Sequence, residues 1–375
     1  MIHICDKINC TGCTACYNIC PHNAIQMVAD SEGFKFPKID GEKCTDCGLC
    51  KKVCIPSNGY IKQPFEQIVY GAKAKNLSER KQSQSGGAFY VLAKYVLNQG
   101  GVIYGALIDS AFVVRHARAT TKEDAKVFRG SKYVQSDLGD IFAQVKEDLK
   151  TGLLVLFSGT PCQVAGLKSF LRKDYENLIL IDLICHGVPS PMVWADYIQW
   201  QQKRINRPIT QAEFRDRALP WGKSAEAVYI KGKKKRFDIY ARLFYSRNTH
   251  RKSCYNCSFA NTETVSDITI GEYWGIENVK PEFKDEYGVS AILINSETGK
   301  RVWDNVREEF ECFECNIQDV VACNPNLVKT REQPTTRAEF WQDYEKGFAF
   351  IAKKYGGNNF KGKVKRLIKR ILGRL

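Results

Sequence analysis

The sequence predicts an α/β protein (α+β overall) in three parts: a small cysteine-rich unit, an α/β body and a helical basic tail. Three observations carry this. Nine of the sixteen cysteines fall within the first 54 residues, eight of them in a duplicated spacing. Between Gly86 and Ile184, apolar segments alternate between helical and strand-like patterns. The net charge of +15 gathers at one end, where ten Lys or Arg and no acid lie between Lys346 and Leu375. With 375 residues and 44% hydrophobic content, the chain can build two or three domains, and wholesale disorder is excluded.

Cys10, Cys13, Cys16 and Cys20 stand as C-x2-C-x2-C-x3-C before Pro21, and Cys44, Cys47, Cys50 and Cys54 repeat the spacing 34 residues later. A duplication this short implies two half-units, each too small to bury a core and stapled instead by inorganic clusters. Three thiolates at such spacing converge on one cubane, while the fourth points to the other. Cys10, Cys13, Cys16 and Cys54 are therefore expected to hold one 4Fe-4S cluster, and Cys44, Cys47, Cys50 and Cys20 a second. Zinc fits less well, because zinc frameworks separate two cysteine pairs by a long finger. Residues 1–64 resemble bacterial-type ferredoxins, departing only in Cys54-Ile55-Pro56, where Cys-Pro is usual. Clusters relay single electrons, so a redox partner and an acceptor are implied.

Residues 57–68 read as a linker broken by Gly59 and Pro64. The next part, 65–150, opens near Val69. From Gly86 an amphipathic helix is expected (Phe89, Leu92, Ala93, Val96, Leu97), ending at Gly100-Gly101 before a strand at 102–104. In the part 151–330, a strand at 153–157, a helix at 162–171 and a strand at 178–184 argue for parallel strands with active residues in the loops at their ends. Short strands and turns follow from Thr210 to Asn295, and the last part, 331–375, is helical.

Two of these strands end on cysteine, in Ser158-Gly159-Thr160-Pro161-Cys162-Gln163 and Ile184-Cys185-His186-Gly187-Val188-Pro189, and Cys254 and Cys257 form a further C-x2-C. By spacing alone, a third metal site and buried free thiols both stay open. Gly86-Gly87 likewise suits a phosphate or an ordinary helix start.

Six motifs in order narrow the choice: Ser83-Gln84-Ser85-Gly86-Gly87; Phe128-Arg129-Gly130-Ser131-Lys132-Tyr133; Gly159-Thr160-Pro161-Cys162-Gln163; Cys185-His186-Gly187-Val188-Pro189-Ser190; Cys254-Tyr255-Asn256-Cys257; and Ser266-Asp267-Ile268-Thr269-Ile270-Gly271 ahead of Trp274-Gly275. Together they resemble the family of beta subunits of coenzyme F420 hydrogenases and dehydrogenases, as far as about Leu327. The resemblance implies an iron–sulfur flavoprotein with a third 4Fe-4S cluster on Cys162, Cys185, Cys254 and Cys257. It places FAD along Ser85, Gly86, Gly87, Gly130, Ser131, Lys132, Tyr133, Gly159 and Thr160, in keeping with the affinity of glycine turns and a lysine for pyrophosphate. His186 is expected either to protonate substrate or reduced flavin, or to donate to the cluster. Arg215-Asp216-Arg217 and Trp221-Gly222-Lys223 resemble a family segment without an assigned role, and a solvated charged loop is the alternative reading. Glu272 stands where many members have Asp. Cys5, Cys312, Cys315 and Cys323 read as incidental thiols, although Cys312 and Cys315 have the spacing of a ligand pair.

The expected function is that of an oxidoreductase passing electrons from a low-potential donor such as ferredoxin, through the clusters, to FAD and on to a small-molecule or glycan-precursor substrate of cell-surface polysaccharide synthesis. The rival is a non-catalytic electron-transfer adaptor. No nucleic-acid-binding signature is present, so nucleic acid is not an expected partner. The longest apolar run, 88–93, is far below the roughly 18 residues of a spanning helix, and no secretory signal is visible, so the cytoplasm is expected. In the tail, Val364, Leu367, Ile368, Ile371, Leu372 and Leu375 recur at helical spacing beside Lys363, Lys365, Arg366, Lys369, Arg370 and Arg374. That pattern predicts a basic amphipathic helix, expected to make peripheral contact with the inner face of the membrane; a helix packed on the body or a partner, or a solvated terminus, is the alternative.

Overall fold

The computed structural model describes residues 2–61, 65–223, 225–358 and Val364. The N-terminal unit holds the helix Ala15–Ile19, the antiparallel pair β1 (Ile25–Ala29) and β2 (Lys35–Ile39), and the helical turns Leu49–Lys52 and Ile55–Asn58. The sequence duplication is also a backbone duplication. Thr14 and Gly48, 34 positions apart, both cap their helices in the left-handed region (φ 64° and 74°), and Cys20 and Cys54 are both extended (ψ 110° and 111°). Apolar side chains are few here; Cys16, Cys50 and Cys54 pack with Ile4 and Ile25, so thiols make up much of the core.

The remaining strands are β3 (Ile68–Ala74), β4 (Val102–Ile108), β5 (Val114–Ala119), β6 (Val155–Gly159), β7 (Leu178–Leu183), β8 (Gln211–Glu213), β9 (Glu226–Ile230), β10 (Lys233–Phe237), β11 (Ile268–Glu272), β12 (Ser290–Ile294) and β13 (Phe310–Cys315). Eight form one mixed sheet in the order β13-β3-β12-β11-β7-β6-β4-β5, with β4, β6, β7 and β11 parallel, while β8, β9 and β10 form a small antiparallel sheet. Residues 65–150 and 151–330 both supply strands to the large sheet. Its centre is buried on both faces, as parallel sheets are. The helix Ala88–Asn98 covers one face with Leu92, Ala93 and Val96, and the helices Ile141–Lys150 and Pro161–Leu171 cover the other. The strand expected at 153–157 lies two residues further on. Ser158 and Gly159 look like turn residues, but they pair with Ile181 and Asp182 of β7, and this pairing extends the strand.

The N-terminal unit is packed into the body. Cys13, Ala15, Val53 and Ile55 share a core with Phe142, Val164 and Leu167. The β1–β2 turn is gripped by Arg337 of the helix Arg337–Tyr344, whose guanidinium forks onto Glu32, and by Ser190 Oγ, which donates to Glu32 O at 2.5 Å. The helix Phe348–Lys354 follows, and the amphipathic helix expected at 363–375 lies outside the described residues, Val364 apart. Among the described residues, no helix is long and apolar enough to cross a membrane.

Candidate functional site

The loops after the parallel strands meet around a cavity of about 320 Å³ lined by Cys162, Cys185, His186, Cys254 and Cys257, and closed on one side by Asn9, Thr11 and Pro56 of the N-terminal unit. Thr160 forms a capping box with Gln163, and Pro161 occupies the first turn, so Cys162 sits at the N-terminus of its helix, where the dipole favours a thiolate. Cys185 lies just past β7, with the Gly187 N–H 3.4 Å from its sulfur. Gly187 needs its left-handed φ of +94°, and a Cβ there would stand 2.9 Å from His250 Nδ1. Cys254 and Cys257 flank the end of the 3-10 turn Lys252–Asn256.

Burial pushes all four thiols up, Cys254 to about 11 against the pull of the Val188 N–H. Four converging thiols that burial disfavours as anions suit a positively charged metal core, which supplies the missing counter-charge. In the N-terminal unit, Cys20, Cys44, Cys47 and Cys50 line a second cavity with Ile2 and His22. Cys5, which reads in sequence as incidental, lies beside Cys10 and Cys54, and its thiol is the leading cause lowering Cys10 to about 6 and Cys54 to about 7.

The glycine loops lie elsewhere along the same edge. Ser85 Oγ donates to Val289 O at 2.6 Å. Gly86 is pressed between β3 and β12, where a Cβ would come within 2.2 Å of Ala72 O. Gly87 caps the helix Ala88–Asn98, Gly130 faces open space, and Tyr133 stacks on Phe244 at 4.3 Å. Lys132 is fully engaged. Its ammonium donates to the carbonyls of Val127, Phe128 and Arg129 (3.1, 2.8 and 3.0 Å), and burial, reinforced by Arg217, pulls its pKa down to about 7.

Gln82 joins the two loops, accepting from Arg129 at 3.0 Å and from Arg217 through its backbone oxygen. The first of them, through Ser83 and Gln84, lines a crevice with Arg80, Arg215, Arg217, Trp221 and Lys223. The segment read in sequence as a solvated charged loop is thus partly a buried network. Arg215 Nη1 and Trp221 Nε1 donate to Glu272 at 2.7 and 2.8 Å, and Asp216 is held by Lys234 and Arg236. Both carboxylates are shielded from water and need these donors.

His186 stands between cavity and crevice. Arg331 Nε donates to Asn326 Oδ1 at 3.0 Å, which fixes the Asn326 amide so that its nitrogen faces His186 Nδ1. The neutral imidazole therefore carries its proton on Nε2. Loss of water lowers its pKa, Glu272 opposing and Arg331 and Arg215 adding.

The family model for the C terminus of the coenzyme F420 hydrogenase/dehydrogenase beta subunit matches residues 153–319, and the model "4Fe-4S dicluster domain" matches residues 9–57. Residues 153–319 thus match the C-terminal part of the coenzyme F420 hydrogenase and dehydrogenase beta subunits, behind an N-terminal dicluster ferredoxin domain. Its relatives include a subunit of the F(420)H(2) dehydrogenase of Methanosarcina mazei, 24% identical over 91% of this chain and 94% of that protein. Another is the coenzyme F420-dependent sulfite reductase of Methanocaldococcus jannaschii, 23% identical over 80% of this chain and 46% of that protein. Among solved structures, the F420-reducing NiFe hydrogenase complex from Methanosarcina barkeri has a chain 18% identical, with a TM-score of 0.44 over 68% of this chain and 84% of that one. An iron–sulfur redox role, as oxidoreductase or electron-transfer protein, goes with this family.

Cys312 and Cys315 both lie on β13 at odd separation and so point to opposite faces. Cys312 packs against the core holding Trp303, and Cys315 against the one holding Tyr273, so they cannot share a metal. Sequence reasoning missed three groups. Asn326 and Arg331 orient His186 from a distant segment. Asp182, buried at the cavity wall, accepts from Thr264 and Thr269 (2.7 and 2.5 Å) and is pushed up to about 6 by burial. Arg251 is wholly enclosed, and its place three residues before Cys254 is the one signal that could have marked it.

Proposed function

We propose that this chain is a flavin-dependent iron–sulfur oxidoreductase that draws electrons from a low-potential donor such as ferredoxin and delivers them in pairs to a small anionic substrate. In this reading Cys10, Cys13, Cys16 and Cys54 hold one 4Fe-4S cluster, Cys20, Cys44, Cys47 and Cys50 a second, and Cys162, Cys185, Cys254 and Cys257 a third. Clusters supply single-electron relay and FAD couples it to two-electron chemistry. The observation that carries the reading is the cavity itself. Its four cysteines share a wall with Asn9, Thr11 and Pro56, which flank Cys10 and Cys54 in sequence.

The chain's own residues then have distinct tasks. The 83–87 and 129–133 loops, with Gly159 and Thr160 at the end of β6, border the flavin. Because Lys132 is spent on three carbonyls, Arg129 is the cation left to meet its phosphates, with Arg217 and Arg80, which also pair with Glu213 and Asp285, beside it. His186 offers Nε2–H as a donor. Arg247, Lys329 and Arg331 on the cavity wall favour an anionic substrate. The names of the relatives make coenzyme F420 the first molecule to try, with glycan precursors second. The adaptor reading has one observation in its favour, that a relative is named as part of a larger dehydrogenase.

The test is anaerobic purification followed by acid release of the cofactor. FAD is expected, with Arg217→Ala retaining less of it than Lys223→Ala. Reduced ferredoxin should bleach the flavin faster than NADH, since no nicotinamide fingerprint is present. A chain with full iron that takes up no FAD would sink the proposal, and one that reduces a partner but no small molecule would leave the adaptor.

A further inference from the structure

Arg251 is 1% exposed, and among the described residues no carboxylate pairs with it. Its guanidinium is nevertheless fully directed. Nε donates to Cys10 O at 2.7 Å, Nη1 to Gln135 Oε1 at 3.0 Å, and Nη2 to Lys35 O at 3.0 Å and to Cys10 Sγ at 3.5 Å. One face rests on the Phe36 ring at 4.2 Å. Gln135 is itself held, donating to Thr11 O at 2.9 Å. Arg251 also belongs to the other site's loop, since its N–H donates to Val188 O and its carbonyl accepts from the Cys254 N–H, both at 3.0 Å.

A buried guanidinium facing neutral oxygens, a thiol and an aromatic ring, with no carboxylate paired to it among the described residues, is an uncompensated charge, which proteins seldom keep without use. Of the atoms around it, only Cys10 Sγ becomes anionic when iron is ligated. We propose that Arg251 raises the reduction potential of the cluster held by Cys10, making that cluster the electron sink beside the Cys162 site. This rests on the cluster assignment proposed above and adds to it the residue that ranks the clusters. The electron gained comes from the low-potential donor; no bond forms or breaks and no proton moves. The added negative charge, spread over the cluster sulfurs, is stabilised by the N–H and the positive charge at Cys10 Sγ.

The experiment is a redox titration of the anaerobic, iron-loaded full-length chain, followed by paramagnetic resonance, with iron analysis of every sample. Arg251→Gln should move one of the one-electron waves to lower potential by about tenfold in its equilibrium constant, 59 mV for one electron, and leave the others in place. Arg251→Lys, which keeps the charge but not the fork, should move the same wave less. Arg337→Gln loosens the same docking through Glu32 without touching a cluster sulfur, and should move none. The proposal is overturned if Arg251→Gln keeps its iron with every wave unmoved, or if Arg337→Gln gives an equal shift. It also fails if both Arg251 variants lose the cluster at Cys10, which would make the residue an assembly latch. A wild-type chain with no iron at Cys10 would fail the underlying assignment instead, and iron analysis separates that case from the others.

Discussion

Gly166 is pressed against Cys13: a Cβ on Gly166 would stand 2.7 Å from Cys13 Cβ and 2.9 Å from its sulfur. Because Gly166 follows Cys162 by four residues on one helix, a single turn of about 5.4 Å separates the cysteine of the cavity from the contact with the N-terminal unit.

Gly166→Ala therefore tests the docking. In a helix interior this change ordinarily gains about 1 kcal/mol. Here overpacking costs about 1–3 kcal/mol, so the melting temperature should fall and iron should be lost from the N-terminal unit. A more stable variant with full iron would show that the contact is slack.

Cys257→Ala addresses the cavity. Three 4Fe-4S clusters amount to about twelve irons per chain, and the variant should hold about eight, with lower thiolate-to-iron absorption. Eight irons in both proteins would remove the third cluster.

His116 predicts a pH effect. It is enclosed, its Nε2 lies 2.9 Å from Ser158 O, and burial holds its pKa down at about 4. As pH falls below about 6.5 the unfolded chain takes up this proton and the folded chain does not. Stability should thus drop by about 1.4 kcal/mol per pH unit until about pH 4. In His116→Gln the urea midpoint should fall less steeply between about pH 6.5 and 5, by one proton's worth. Parallel slopes would mean that His116 is protonated in the fold.

The tail is tested by truncation. A chain lacking residues 358–375 should keep its iron but lose sedimentation with anionic liposomes at low salt, since each cation near such a surface contributes about 1 kcal/mol. Undiminished sedimentation would assign the basic segment another task.

By itself the sequence determined the cysteine grammar of the N-terminal unit and the alternation of the central elements, because C-x2-C spacing and buried apolar runs are local properties. It also brought out the six ordered motifs that mark the family. Only the tertiary structure decided what surrounds them. Arg251 and Cys10 are 241 residues apart and Asn326 and His186 are 140 apart, and no periodicity reports such pairs. The loop at Arg215 reads as solvated because charge suggests water, yet Glu272 at the end of β11 supplies a buried partner. Lys132 reads as a phosphate ligand by its neighbours, yet its ammonium meets three carbonyls of the turn before it. Local chemistry selects which side chains can act, and long-range packing selects which charges remain free to do so.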